Sequence, residues 1–546
     1  MKIAITGVGI VSALGVGMAA NKERLLSGKS GVGVPRILPT CHREWPIGEV
    51  PFTCDELAAL AGAESSTLSR NILLGLVALK EAVADAGIQS PVPLVSGTTV
   101  GGMDITERYY HRWRQGDNGQ IALISQHEAG FTTAELARRC GLVDAGTPST
   151  ACSSALNAII CGAGMLQAGK ARQVVAGGTE AMTLFHLNGF ASLGILSQSL
   201  CRPFQPDRDG INLGEGAAYI VLEEEQSALK RKAAIYGYLA GYANTCDAYH
   251  ATTSSPDGDG AYAAMSNAMK MADIQPASIS YINAHGTATV NNDASEWNAI
   301  KRVFGEHMPE VESTKPLTGH TTSASGSIET VFSIIRMQSR RYSYVMNNAF
   351  GFGGNDSSLI LSSHPADLPS VSYCNIKECE AVETAGDENY SAYIPMMQAR
   401  RMTATMRRMV VAAYKAIEKS GVPHIDGIIV GTQWGGMVPT VNILEQMAEQ
   451  GEQDISPTSF MNSTHNAAAG TIARMLQCKG YNMTFATTAG GMDAAVEAAR
   501  MSIAAGMAKN MLVCGYDEVD EHWQSLLKMI GKDSKVITKA RVICLD

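Results

Sequence analysis

The chain has 546 residues, of which 45% are hydrophobic and 17% are charged, so it can bury a large core and does not have the composition of a disordered protein. Its 43 Lys and Arg against 52 Asp and Glu give a net charge of −9, which argues against nucleic acid as a partner. No apolar run of about 18 residues occurs and the start lacks a signal-peptide pattern, so we expect neither a membrane span nor a leader. Twelve cysteines without CxxC pairs indicate reduced thiols of a cytoplasmic protein.

Short β-branched runs alternate with helical patterns along the chain, as in α/β proteins. The predicted strands are Lys2–Gly7, Val174–Gly178, Ala217–Glu223, Ile279–Ala284, Tyr344–Asn348 and Ser357–Ser362. One helix is predicted from about Ser66 to Ala86, and Gly87 ends it. A second, Ser153–Ala168, is small and apolar all round and should be buried on all sides. The polar segment SHPADLPS, with two prolines, indicates a linker at residues 365–370.

The C-terminal part of the chain repeats the pattern of the N-terminal part. A helix ending at Gly87 is followed by GTTVGGM from Gly97, and a helix ending at Gly421 is followed by GTQWGGM from Gly431. Both pairs are 334 residues apart (421 − 87 and 431 − 97). A shared helix, a shared glycine turn and an identical spacing indicate a duplicated α/β unit, since the period is too long for a solenoid repeat.

Cys152 lies in STACSS, between an extended segment and the start of the apolar helix. Free N–H groups and the helix dipole at such a position stabilise a thiolate, so Cys152 is a candidate nucleophile. For a cysteine taken alone, an inert buried thiol is the more frequent outcome. Two further motifs make a catalytic role for Cys152 the better interpretation.

These motifs each place a histidine beside a glycine. NAHGTAT contains His285 directly after a predicted strand, and KPLTGH contains Lys315 and His320. One histidine alone is more often structural than catalytic. The cysteine and the two histidines together favour a catalytic site.

Over Met1–Ser363 the chain resembles the β-ketoacyl-acyl carrier protein synthases, the elongating, decarboxylating condensing enzymes of the thiolase superfamily. The resemblance depends on these motifs, which occur in this order: TGVGIVSALG, TACSSA, GGTEAM, RPFQPDRDGINLGEGAA, NAHGTATVNND, STKPLTGH and NNAFGFGGND. It implies an α/β thiolase-like fold with two duplicated lobes in a layered αβαβα arrangement. We expect the synthase domain at residues 1–364, with lobes of about 1–220 and 221–364.

The resemblance implies that Cys152 accepts the acyl group, that His285 and His320 promote decarboxylation of a malonyl unit, and that Lys315 and Glu329 form a supporting ion pair. The residue types suit this chemistry, because a soft thiol captures a thioester. Two imidazole N–H groups can then stabilise the enolate oxygen left after CO₂ departs, which commonly contributes about 3–4 kcal/mol per donor. Neutral imidazoles suit this step, and a nearby lysine favours the neutral state.

The resemblance also implies how the substrate is held. The backbone N–H groups of Cys152 and Phe352 would form an oxyanion hole, and the Phe352 ring would gate the acyl pocket. The other predicted substrate contacts are Thr287, Thr289 and Phe350, of which the two threonines would touch the phosphopantetheine arm of an acyl carrier protein. We expect no cofactor and no metal on the enzyme itself.

The sequence departs from the family between His320 and Gly351, where it is distinctly short. The missing part follows the helix predicted to end near Arg341, where the family has an additional loop and strand pair. We therefore expect an altered rim of the acyl pocket, with all the predicted catalytic residues retained.

Residues 371–546 resemble a second ketosynthase N-terminal lobe without a catalytic cysteine. Ala489 or Gly490 stands at the position of the nucleophile, and counterparts of the two site histidines are missing. His465 in THNAAAG is more simply interpreted as a satisfied histidine at a helix start. A lone N-terminal lobe leaves an apolar face uncovered.

We expect this half-lobe to pack against a synthase domain, in its own chain or in a partner chain, and to cover the surface shortened before Phe350. The helices Met402–Ser420 and about Met492–Ala505 would carry much of the contact.

Two functions are compatible with these patterns. The first is an acyltransferase that condenses the acyl group on Cys152 with malonyl-acyl carrier protein, in fatty acid or in polyketide or aryl-polyene-type biosynthesis. The second is a non-catalytic pairing subunit resembling a chain-length factor, and the retained cysteine, histidines and lysine argue against it. The expected partners are an acyl carrier protein and a second subunit, in a homodimer or in a heteromer with another condensing-enzyme subunit.

Overall fold

The computed structural model describes residues 1–369, 371, 375–384, 386, 389–488 and 491–545. Three α/β lobes follow one another along the chain. The first lobe contains β1 (Ile3–Ser12), β2 (Gly15–Val16), α1 (Gly17–Ser27), α2 (Cys54–Ala61), α3 (Arg70–Ala86), β3 (Pro93–Gly97), α4 (Met103–Arg114), α5 (Ala129–Cys140), β4 (Val143–Asp144), β5 (Thr147–Pro148), α6 (Ser154–Gln167), β6 (Gln173–Glu180), α7 (Leu184–Ser192), β7 (Gly216–Glu224) and α8 (Glu225–Arg231).

The second and third lobes are built from similar elements. The second contains β8 (Gly237–Cys246), α9 (Asp259–Ala272), β9 (Ile279–Asn283), α10 (Val290–Phe304), β10 (Glu310–Glu312), α11 (Lys315–Thr318), α12 (Ser325–Arg340), β11 (Tyr344–Gly351) and β12 (Asn355–Ser362). The third contains β13 (Ile376–Glu378), β14 (Val382–Glu383), α13 (Met396–Ala399), α14 (Ala404–Ser420), β15 (Gly427–Thr432), α15 (Met437–Gln450), α16 (Pro457–Ser463), α17 (Ala467–Leu476), β16 (Tyr481–Ala486), α18 (Met492–Ala504), β17 (Asn510–Asp517), α19 (Glu521–Met529) and β18 (Ile537–Leu545).

All three lobes have the same strand order. It is β4-β3-β6-β7-β1 in the first lobe, β10-β9-β11-β12-β8 in the second and β16-β15-β17-β18-β13 in the third. The first two sheets join where β1 pairs antiparallel with β8. The duplication predicted from the 334-residue spacing is therefore confirmed, and the unit occurs three times.

The synthase domain has the predicted αβαβα layers. Helix α3 packs on β1 and β7 at one side, α6 and α12 contact each other between the sheets, and α9 packs on β8 and β12 at the other side. Helix α3 lies so close to β1 that a Cβ atom on Gly9 would come within 2.0 Å of the Ala78 carbonyl oxygen. Helix α6 is almost wholly buried, as its apolar sequence predicts.

Two predicted boundaries differ from the observed ones. The helix expected from Ser66 begins at Arg70, because the Ser69 hydroxyl accepts from the Ile72 N–H and caps the helix there. The expected lobe boundary near residue 220 falls inside β7, which pairs with β1 up to Glu224 and with β6 up to Glu223. No helix in the described part of the chain has the length and hydropathy needed to cross a membrane.

The third lobe packs against the first lobe of the same chain through equivalent elements. Strand β16 pairs antiparallel with β5, with Phe485 opposite Pro148 and Ala486 opposite Thr147. Counterparts in this part of the two lobes are 338 residues apart, as the starts of α5 and α17 are (467 − 129). By this offset Phe485 is the counterpart of Thr147, and Ala486 is the counterpart of Pro148. Phe485 pairs with Pro148 and Ala486 pairs with Thr147, so exchanging the two lobes leaves the set of pairs unchanged. This is the pattern of a two-fold interface, here formed within one chain.

Side chains of both lobes extend this interface. Helix α15 packs on its counterpart α4, where the Tyr110 hydroxyl and the Arg114 guanidinium donate to the Glu445 carboxylate at 2.6 and 2.9 Å. The buried Glu128 carboxylate forms an ion pair with Lys532 of the third lobe. The half-lobe therefore covers the synthase domain in its own chain.

The contacts differ in part from those expected. Helix α18 contacts α6, as predicted, whereas α14 packs on β17 and β18 of its own sheet. The segment shortened in the sequence lies before β11, and Phe350 is six residues beyond Tyr344, about 20 Å at 3.3 Å per residue. The effect of this shortening on the rim of the acyl pocket remains a prediction. The third lobe contacts β5, β8, α4, α6 and α7 of the synthase domain.

Candidate active site

Cys152 lies between β5 and α6, in the single helical turn Ala151–Ser153. The side chain is buried, and its Sγ is 3.0 Å from Nε2 of His320. Ala151 adopts a positive φ of 55°, which turns the chain sharply just before the cysteine. Residues 168 positions apart in the sequence thus meet at one hydrogen bond.

The Cys152 thiol is neutral in this site. Burial raises its pKa to about 12, although the Lys315 charge and the Phe352 N–H act in the opposite direction. Burial therefore opposes the thiolate that the helix start favours, because the desolvation of a fully buried sulfur outweighs the helix dipole.

The two predicted histidines both lie at this sulfur. His320 Nδ1 is 2.8 Å from the Ser325 hydroxyl, and the ring of His285 stands edge-on to that of His320 with the centroids 5.3 Å apart. Burial and then the charge of Lys315 lower the pKa of both imidazoles well below the ordinary value of 6.5. Both rings are therefore neutral at physiological pH.

Lys315 and Glu329 form the expected ion pair, with 2.5 Å between Nζ and Oε1 and both side chains almost fully buried. Burial raises the pKa of Glu329 to about 7, and Lys315 opposes that rise. The buried Glu329 carboxylate thus holds the Lys315 ammonium group in place beside the two imidazoles.

The loop Gly351–Gly354 brings backbone groups to the sulfur. The backbone N–H groups of Phe352 and of Cys152 itself each lower the pKa of the thiol. A Cβ atom on Gly351 would lie 2.8 Å from the Thr150 carbonyl oxygen, so this close approach requires glycine. Two N–H groups at one sulfur can serve as an oxyanion hole for a carbonyl bound there.

A cavity of about 370 Å³ leads from Cys152 to the surface. Its walls include all the predicted substrate contacts, namely Thr287, Thr289, Phe350 and Phe352. The two threonine hydroxyls are 2.9 Å apart, and the Phe350 ring lies 5.8 Å from that of His285. A larger cavity of about 480 Å³ lies between α4 and α15 and does not reach Cys152.

Among the residues that the structure describes, two groups of side chains offer metal-ligand atoms within 4.8 Å of one another. One is the site itself, where Cys152, His285 and His320 present a sulfur and two nitrogens. The other, at the surface, consists of Cys41, His42 and Glu452. Such donors suit Zn²⁺. The expectation that the enzyme uses no metal remains a prediction.

The third lobe also reaches the site, which the sequence did not predict. Asn466 donates from Nδ2 to the Phe352 carbonyl oxygen at 2.8 Å, and the Asn482 carbonyl accepts from Asn355 Nδ2 at 2.5 Å. His465 is a satisfied histidine at a helix start, as predicted, with Nδ1 2.9 Å from the Thr99 carbonyl oxygen. Ala489 and Gly490, predicted at the nucleophile position of this lobe, lie outside the described residues.

Known proteins share both the sequence and the fold. The N-terminal domain of β-ketoacyl synthases matches residues 1–228, and the C-terminal domain matches residues 236–348. The 3-oxoacyl-[acyl-carrier-protein] synthase 2 of Synechocystis sp. is 31% identical over 415 residues, which are 66% of this chain and 98% of that protein. The chain belongs to the β-ketoacyl synthase family. It is a condensing enzyme of that family.

Another relative and a further family match support the assignment of this chain to the β-ketoacyl synthases. A synthase of the same name from Staphylococcus aureus is 31% identical over 67% of this chain and 99% of its own length. Residues 375–537 match a second β-ketoacyl synthase N-terminal domain, which confirms the predicted half-lobe.

Solved structures cover either the synthase domain or the whole chain. The ketosynthase ApeO in complex with its chain length factor ApeC, from Xenorhabdus doucetiae, is 29% identical, with a TM-score of 0.57, over 66% of this chain and 98% of that one. The PfaC keto synthase-chain length factor is 15% identical, with a TM-score of 0.77, over 100% of this chain and 78% of its own. The second likeness concerns the fold alone, and it includes the third lobe.

Proposed function

We propose that this protein condenses an acyl group held on Cys152 with malonyl-acyl carrier protein, releases CO₂ and forms a β-ketoacyl-acyl carrier protein. The pathway would be fatty acid or polyketide biosynthesis, including the aryl-polyene type. The observation that carries the proposal is the 3.0 Å contact between Cys152 Sγ and His320 Nε2, in a buried site that also contains His285 and the Lys315–Glu329 pair.

In the first half-reaction the sulfur of Cys152 attacks the thioester carbonyl of an acyl carrier protein. Because the thiol is neutral, its proton must leave during the attack, and His320 Nε2 is placed to accept it. The carbonyl oxygen becomes an oxyanion between the N–H groups of Cys152 and Phe352. When the intermediate collapses, the carrier thiol leaves with the proton from His320.

In the second half-reaction the bond from the malonyl carboxylate to the adjacent carbon breaks, and CO₂ departs. The electron pair forms an enolate whose oxygen accepts N–H donation from His285 and His320. The Ser325 hydroxyl can accept from or donate to His320 Nδ1, so it supports the tautomer that each half-reaction needs. The enolate carbon then attacks the acyl carbonyl, and the bond to Cys152 Sγ breaks. The sulfur leaves as a thiolate and takes up one proton from solvent, which the overall condensation consumes.

Substitutions of the two histidines should affect the two half-reactions differently. We expect His320→Ala to reduce acyl loading of Cys152 by about 10²-fold or more, because the buried thiol loses its base, and to reduce malonyl decarboxylation as well. The matched variant, His285→Ala, should load acyl groups normally and lose decarboxylation. Intact-protein mass spectrometry measures loading, and CO₂ release measures decarboxylation. Normal loading by His320→Ala would contradict the role of His320 as a base and leave it only the enolate.

Acyl loading should also be insensitive to mild acid. An imidazole with a lowered pKa stays neutral above that pKa, so His320 should still accept the thiol proton at about pH 6, where an ordinary histidine is roughly three-quarters protonated. We expect the loading rate at saturating acyl carrier protein to change less than about twofold between about pH 7.5 and pH 6. A rate that falls with an apparent pKa near 6.5 would contradict the neutral, buried site.

We also propose that pairing of the kind made by a chain-length factor takes place within this one chain. The support for this is that β16 of the third lobe occupies the β5 edge of the first lobe, in the pattern of a two-fold interface between N-terminal-type lobes. The separate homodimer or heteromer and the cytoplasmic location expected from the sequence remain predictions. The alternative of a purely non-catalytic subunit would be favoured by the absence of any acyl adduct on Cys152 with carrier-bound acyl groups of several lengths.

A further inference from the structure

We infer that Asn466 of the third lobe is a positioning residue for the active site of the synthase domain. Its Nδ2 donates to the carbonyl oxygen of Phe352 at 2.8 Å, across 114 residues of sequence. This inference depends on the proposed function, in which the N–H of the same Phe352 helps to stabilise the oxyanion. The third lobe is then part of the catalytic apparatus as well as a cover for the interface.

The contact between the loop and the third lobe is close and dry. Asn466 is only 2% exposed and directly precedes α17, and Gly470 lies one turn later in that helix. A Cβ atom on Gly470 would lie 2.9 Å from the Gly353 Cα, and one on Gly353 would lie 3.0 Å from Asn466 Nδ2. The start of α17 therefore rests directly on the backbone of the loop.

Phe352 depends on such a contact because it stands between glycines. Gly351 and Gly353 place few limits on the backbone, and Gly353 has a positive φ of 86°. The Gly353 N–H of the loop donates to the carbonyl oxygen of Ala251, in the second lobe, at 2.8 Å. The hydrogen bond from Asn466 holds the remaining polar group of the planar Phe352–Gly353 peptide, and so restrains the ψ angle of Phe352 next to the reacting N–H.

The two N-terminal-type lobes differ at this position. The counterpart of Asn466 in the first lobe is Glu128 (466 − 128 = 338), and its carboxylate accepts from Gln433 and pairs with Lys532. Only the lobe that faces the synthase loop therefore presents an amide donor at this position. A carboxylate at position 466 would instead place an acceptor against the Phe352 carbonyl oxygen.

A second contact supports the other end of the loop. Asn355 donates to the Asn482 carbonyl of the third lobe at 2.5 Å, and its Oδ1 accepts from the Ser153 hydroxyl at 2.7 Å and from Asn157 Nδ2 at 2.8 Å. Ser153 adjoins the nucleophile. The third lobe thus contacts the loop at Phe352 and again at Asn355, which directly follows the loop.

The test is Asn466→Asp, which keeps the shape of the side chain and removes the donor. We expect the maximal rate of acyl loading of Cys152 to fall about 10–100-fold, less than for loss of an oxyanion donor itself, with little change in the carrier-protein concentration at half-maximal rate. Malonyl decarboxylation should remain within about twofold, since its enolate oxygen faces the histidines. Decarboxylation is measured in the Cys152→Ala variant and in the Cys152→Ala/Asn466→Asp double variant, so that the comparison does not depend on acyl loading.

Asn462→Asp is the matched control, because Asn462 lies in the same lobe and its Nδ2 contacts the Arg401 carbonyl oxygen at the surface, at 3.4 Å. It should leave both half-reactions unchanged. Asn466→Ala tests the same loss of the donor without a new charge, and melting temperatures of all variants report folding.

Normal loading by both Asn466 variants would overturn the inference, as would an equal fall of loading and decarboxylation together with a lower melting temperature. Failure of the proposed function is distinct, since the wild-type protein would then form no acyl adduct on Cys152.

Discussion

Replacement of Cys152 by Ala should abolish condensation, with a fall in rate of about 10³-fold or more, while the fold is retained. In the proposed mechanism the sulfur forms the covalent acyl intermediate, so no neighbouring group can replace it. The substitution removes one buried atom at a turn, and we expect the melting temperature to change by only a few degrees. Product formation with acyl- and malonyl-carrier proteins, followed by mass spectrometry, measures the effect.

The control for this variant is Cys514→Ala, which removes a fully buried thiol in β17 of the third lobe. It should retain condensation at close to the wild-type rate. More than a trace of product from Cys152→Ala would show that the nucleophile lies elsewhere.

Removal of the third lobe should have the second large effect. A chain cut at Pro365 exposes the β5 edge together with the apolar faces of α4 and α7, which an isolated synthase domain cannot cover. We expect the 1–365 fragment to be insoluble, or to melt at least about 10 °C lower and to lose acyl loading, in side-by-side thermal denaturation and size-exclusion experiments. A soluble, fully active fragment with an unchanged melting temperature and oligomeric state would contradict this and would make the third lobe an independent module.

A single substitution in the interface between the third lobe and α7 tests the same contact in the full-length chain. Phe460 of α16 lies against α7, where its ring centroid is 5.3 Å from that of Phe190 and 6.0 Å from that of Phe185. Phe460→Ala should lower stability by about 3–5 kcal/mol, as expected for a buried aromatic ring. Met397→Ala is the control, because that side chain is 82% exposed and should leave stability unchanged.

The side chains of the candidate site could be picked out from the sequence because their motifs are local. STACSS, NAHGTAT and KPLTGH each place a reactive side chain at a strand end or helix start within a few residues, and the structure brings Cys152, His285, His320 and Lys315 into one buried site. The third lobe was also visible in the sequence, because its helix and glycine turn repeat at a fixed spacing of 334 residues. Hydrophobic periodicity and turn residues are properties of neighbouring positions, so the sequence itself displays them.

The remaining features were decided only by the tertiary structure. The protonation state of Cys152 depends on desolvation by residues far away in the chain, so the helix start indicated a thiolate where burial keeps a neutral thiol. The position of the third lobe depends on the fit of β16 to β5 and of α15 to α4, faces that the sequence marks as apolar without naming their partners. The contact of Asn466 with Phe352 follows from that docking, since it joins groups whose separation in sequence carries no information about their distance in space.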